Sequence, residues 1–68
     1  MNFDNPMYSV GYEAERESVR SLGWTAARDE FNRQNPPGQR WSGTVSDLAR
    51  AQGAFQALFD TMSQQEAA

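Results

Sequence analysis

Residues 45–62 read VSDLARAQGAFQALFDTM, and they hold the cleanest periodicity in the chain. Val45, Leu48, Ala51, Phe55, Leu58, Phe59 and Met62 recur at helical spacing on one apolar face, while Arg50, Gly53, Gln56, Ala57, Asp60 and Gln64 occupy the other. The pattern predicts a helix from about residue 45 to 64. Its start is marked as well: Thr44-Val45-Ser46-Asp47 has the form of a capping box, in which a hydroxyl and a carboxylate each satisfy an orphan amide of the first turn. One residue runs against the helical propensity. Gly53, followed by Ala54, weakens a helix interior by about 1 kcal/mol relative to alanine, so its presence predicts tight packing against a second helix.

Moving toward the amino terminus, Asn35-Pro36-Pro37-Gly38 ends whatever helix precedes it, because a residue before proline is pushed out of the α region and proline cannot continue the ladder. Residues 35–43 therefore read as a loop. Further upstream, Asn5-Pro6 is a helix start, with asparagine as N-cap and proline pre-organised in the first turn. Tyr8, Tyr12, Val19, Leu22 and Ala26 form one stripe, and Trp24, Ala27 and Phe31 form a second, rotated by roughly a third of a turn at ~100° per residue. Gly23 stands where the stripes exchange. The preferred reading is one long helix from about 6 to 34, with a break at Gly23 as the alternative. Gly11, early in this helix, predicts close approach of another backbone or side chain, most simply by tight helix–helix packing, as Gly53 does. Ser63–Ala68 is small and polar and is expected to fray, as is the terminal segment Met1–Asp4.

No segment alternates with a period of two, so the chain reads as all-α: a single helical domain over 1–68, arranged as a helical hairpin. A chain of 68 residues buries only ~60% of its unfolded surface. There is no cysteine for a disulfide, and without cysteine or histidine a structural transition metal has no good ligands. Two helices alone also leave aromatics uncovered, so pairing into a homodimeric four-helix bundle is expected. The residues assigned to core or dimer packing are Tyr12, Val19, Leu22, Leu48, Phe55, Leu58, Phe59 and Met62.

The chemistry of the sequence excludes more than it selects. Glu13 and Glu17 lie four apart on a helix, but Arg16 and Arg20 stand alongside, the pattern of a solvated charged face. No histidine or lysine is present to activate a serine, and a Walker-type lysine is missing outright. The reading is a protein that is not an enzyme, with no cofactor and no metal. Six arginines against nine acids give a formal charge of −3, with no basic block for a phosphate backbone. No stretch approaches the ~20 apolar residues of a membrane span and no amino-terminal leader pattern is seen, so the expected location is cytoplasmic.

What remains is recognition. Trp41 beside Arg40 sits in the loop, where it either folds back over the open end of the helix pair or anchors a partner. Trp24, Arg28 and Phe31 offer a second aromatic and arginine set on the first helix, either for a dimer core or for a partner groove. The expected function is a small helical protein-binding module, dimeric, that modulates or inhibits another protein, of the kind found among bacterial and phage accessory factors.

Tyr8-x-x-Gly11-Tyr12-x-Ala14, Asn35-Pro36 and Gly53-Ala54-Phe55-Gln56-Ala57 together resemble the ribosome modulation factor family and its phage-borne relatives. The resemblance implies two helices, each carrying a glycine and an aromatic, joined by an Asn-Pro loop. It also implies the alternative function, a ribosome-associated RNA-binding factor.

Overall fold

The computed structural model describes residues 4–39 and 41–67, with side chains described through Met62. Of the residues expected to fray, 1–3 and 68 lie outside the described residues, whereas 63–67 do not fray but continue the third helix. Among the described residues there are three helices: α1, Pro6–Leu22; α2, Trp24–Gln34; and α3, Val45–Ala67. No strand occurs among them.

Each boundary follows from local chemistry. The Asn5 side chain accepts from the Met7 amide at 2.9 Å, and Pro6 occupies the first turn of α1, as an asparagine cap requires. At Gly23 the chain adopts φ 89° and ψ 157°, a conformation that a side chain would resist. Its amide donates to the Val19 carbonyl and its own carbonyl accepts from the Ala27 amide, so one residue closes α1 and opens α2. The single helix expected over 6–34 is thus two helices. The phase of the apolar stripe resets at this break, which leaves Leu22 58% exposed and Ala26 exposed, while Ala27 and Phe31 turn inward.

Asn35 ends α2 by donating both its backbone amide (2.8 Å) and its side-chain amide (3.2 Å) to the Phe31 carbonyl. The capping box of α3 forms reciprocally: the Asp47 amide donates to Thr44 Oγ1 at 3.1 Å, and the Thr44 amide donates to Asp47 Oδ2 at 3.4 Å. The helix then continues to Ala67, three residues past its expected end.

α3 packs on both other helices, most extensively on α1. The contact between α1 and α3 is organised by the two glycines. A Cβ on Gly11 would collide with the Arg50 carbonyl oxygen, and a Cβ on Gly53 would collide with the Tyr8 carbonyl oxygen and lie 2.9 Å from the Tyr12 amide nitrogen. Backbone therefore meets backbone at the crossing, and the tight packing expected of both glycines is present.

That crossing turns α3 away from its expected orientation, burying Ala51 and Leu58 of the expected inner face but not its largest side chains. Gly53, Ala54 and Ala57 are buried together with Ala49, Ala51, Leu58 and Thr61, whereas Val45, Phe55, Phe59 and Met62 are exposed on the single chain. The reason is geometric. Small residues let two backbones come into contact, while phenylalanine or methionine at the same positions would hold them apart and leave voids around the glycines. Of the residues assigned to core or dimer packing, Val19 and Leu58 belong to the core with Ala27, Phe31 and Ala54; Tyr12 and Leu48 are half-buried; and Leu22, Phe55, Phe59 and Met62 lie outside it. Thr61, the buried polar residue, satisfies its hydroxyl by donating to the Ala57 carbonyl at 2.7 Å.

Candidate functional site

The aromatic side chains form a path from core to surface. Phe31, 3% exposed, lies at the inner end. Phe55 tilts against it with ring centroids 6.1 Å apart, and Trp41 meets Phe55 edge-on at 5.8 Å. Both geometries are favourable for aromatic pairs. Trp41 is still 49% exposed and Phe55 44%, so the outer end of the path is open. Trp41 has thus folded back onto the helices while keeping half its surface outside.

Further along α3, Phe59 follows Phe55 by four residues and Met62 follows Phe59 by three, which places each beside the last on the helix surface. Phe59 is 64% exposed, the highest value among the large apolar side chains of the described residues. Together with Val45 on the first turn, these side chains give α3 an apolar outer face, opposite the small-residue face that α1 covers.

Trp24 and Phe31, expected as partner contacts, serve inside the chain. Trp24 is half-buried over the core, and its indole Nε1 donates to the Leu58 carbonyl at 2.7 Å, a bond that fixes α2 against α3. The exposed Arg28 lies over the Trp24 ring at 5.3 Å from its centroid and pairs with Asp29 at 3.0 Å. A guanidinium on an indole face is a polar platform over the aromatic ring. Arg40 lies outside the described residues. The structure therefore gathers Trp41 with Phe55, and Trp24 with Arg28, but draws Phe31 into the core. Phe55, Phe59 and Met62, assigned from the sequence to core or dimer packing, are surface residues of the single chain; their 3-and-4 spacing is visible in the sequence, but not the face they present.

An open cleft of about 780 Å³ runs between α1, α2, the loop and α3. Its carboxylates come from Glu15, Glu30 and Asp47, and its apolar floor from Leu22, Phe31 and Ala54. Glu30 pairs with Arg33 and accepts from Gln34, and Asp47 is engaged in the capping box. Burial alone pushes the Glu15 carboxyl above its ordinary range. On the other side of α1, the Tyr12 hydroxyl donates to Asp60 at 2.5 Å, an exposed link between α1 and α3. That hydrogen bond holds Asp60 below the ordinary carboxylate range, helped by Gln56, and raises Tyr12 above the ordinary tyrosine value. Glu17 pairs with Arg20 at 2.6 Å on the solvated face.

Among the described residues, no group of three or more His, Cys, Asp or Glu side chains is placed to hold a metal ion, and no helix is long and apolar enough to cross a membrane. No protein-family model matches the chain, and no match is found among curated proteins or solved structures.

Proposed function

We propose that this chain is a non-enzymatic helical protein-binding module that modulates or inhibits another protein, as bacterial and phage accessory factors do. The observation that carries the reading is the outward placement of Trp41, Phe55, Phe59 and Met62 while alanines and glycines hold the helices together. Apolar side chains grouped on an exposed face are the usual mark of a contact surface. Exposed aromatic side chains and arginine are what such contacts favour, and Trp41 and, elsewhere, Arg28 over Trp24 supply them. The acidic balance of the chain supports a protein rather than a nucleic-acid backbone as the partner.

The test is affinity capture from a bacterial lysate with the wild-type chain and with Phe59→Asp as baits. A protein retained by the first and depleted at least about tenfold by the second supports the reading. Co-sedimentation with ribosomes that weakens steeply with salt would replace it with the RNA-binding function that the family resemblance implies.

A further inference from the structure

The outer face of α3 has a regular spacing. Val45, Leu48, Gln52, Phe55, Phe59 and Met62 are separated by three, four, three, four and three residues. That is the a/d register of a heptad, the spacing by which one helix lies along another. Over this length the stripe is about 26 Å long at ~1.5 Å per residue. The opposite face is already occupied by α1 at Gly53; on the stripe Phe55 packs partly on Phe31 and Trp41, while Val45, Phe59 and Met62 stay exposed to a second molecule.

We propose that the occupant is the same stripe of a second copy, α3 against α3 in antiparallel orientation about a twofold axis. This rests on the reading of that face as a protein-binding surface and names what covers it. Three features select a second copy. First, the charged residues of α3 in the described region, Asp47, Arg50 and Asp60, all lie off the stripe, and its flanks carry Ala49, Ala51 and Gln56. Two copies of a chain with net charge −3 can therefore meet along this seam without opposing charges there, and a basic or acidic helix would find nothing to recognise.

Second, antiparallel pairing matches sizes. With the axis between residues 53 and 54, Val45 faces Met62 of the second copy, Leu48 faces Phe59, and Gln52 faces Phe55, each contact occurring twice. A parallel pair would instead set Phe59 on Phe59 and Gln52 on Gln52, with the helix dipoles aligned rather than opposed. Third, the area is of the right order. At exposures of 37% for Met62 and 63% for Val45, with those given above for Trp41, Phe55 and Phe59, and aromatic side chains of about 150–250 Å², the face offers on the order of 500 Å² of apolar surface per copy. Two such faces together bury on the order of 1,000 Å², the low end of the range for specific interfaces, so pairing is expected toward the upper part of a micromolar-to-millimolar concentration range.

Analytical ultracentrifugation over a range from micromolar to ~1 mM tests the pairing. The wild-type chain should sediment with the mass of two chains. Phe59→Asp should raise the dimer dissociation constant at least about 30-fold, with unchanged helicity by circular dichroism because the side chain is mostly exposed. The chain has no native cysteine, so Val45→Cys and Met62→Cys report the orientation. Mixed and oxidised, the two variants should cross-link to each other, while each alone should not. A wild-type monomer throughout the range overturns the proposal, and so does Val45→Cys cross-linking to itself as readily as to Met62→Cys. If the chain is monomeric but Phe59→Asp still abolishes capture of a lysate protein, self-pairing fails and the protein-binding reading stands. If capture is also unaffected, both fail.

Discussion

Gly53→Ala opposes two effects of known sign, and the structure says which should win. In a free helix the change would be favourable by about 1 kcal/mol, because alanine has the better propensity. Here the new Cβ would overlap the Tyr8 carbonyl oxygen and stand 2.9 Å from the Tyr12 amide nitrogen. Both obstacles are backbone atoms of α1, so no side chain can rotate away. Relief requires α1 and α3 to separate by about 1 Å along their crossing, and a gap of that size forfeits a quarter to a half of the dispersion energy between the groups that line it. Overpacking of this kind costs about 1–3 kcal/mol, and more where the obstacle is rigid.

Because both obstacles are backbone, the upper end of about 3 kcal/mol applies, and subtracting the gain in propensity leaves a net destabilisation of about 2 kcal/mol. That is a large share of the ~3–10 kcal/mol expected for a domain of this length. Urea denaturation followed by circular dichroism would measure it, at a chain concentration held fixed so that self-association does not shift the midpoint. Gly38→Ala is the matched control, since nothing lies within 4 Å of its added Cβ and its φ is not positive. It should be neutral or stabilising by about 0.4–1 kcal/mol. A Gly53→Ala chain as stable as wild type, or more so, would refute the claim that backbone contact at this crossing determines which face of α3 is buried.

Gly23→Ala should cost about 1–3 kcal/mol from backbone strain alone, because φ is 89° and no neighbour lies within 4 Å of the added Cβ; urea midpoints will show it. The Tyr12–Asp60 bond should make stability depend on pH at both extremes. The lowered Asp60 pKa contributes stability above the ordinary carboxylate range that is lost as pH falls through its folded value, and the raised Tyr12 pKa contributes stability that is lost as pH rises through its own. Tyr12→Phe should flatten both limbs of a plot of urea midpoint against pH. Glu15 has the opposite sign to Asp60: burial raises its pKa, so its ionised form opposes folding once pH exceeds the unfolded value. Glu15→Gln should therefore raise the urea midpoint at pH 7 and leave it unchanged at pH 3.

Local chemistry made much of this chain readable. The asparagine cap and Pro6, the prolines after Asn35 and the reciprocal pair Thr44 and Asp47 act through groups a few residues apart, so the sequence contains both partners of each interaction. Gly11 and Gly53 were readable as places of close approach for a related reason, since a helix carries an interior glycine at a cost and a contact must offset it. The break at Gly23 was less decided. Either a bent helix or two helices satisfies the same apolar spacing, and the conformation of Gly23, φ 89° and ψ 157°, decides for two, with Trp24 of the second docked on the Leu58 carbonyl.

The candidate surface divides along the same line. The sequence by itself determined that α3 has a large-residue face and a small-residue face, because periodicity is a property of one helix. It could not say which face turns inward, since that depends on how near a second backbone can come. Only the tertiary structure decided it. Where Gly53 meets Tyr8 and Gly11 meets Arg50, the distance between helices is set by their backbones, and Phe55, Phe59 and Met62 are left on the outside.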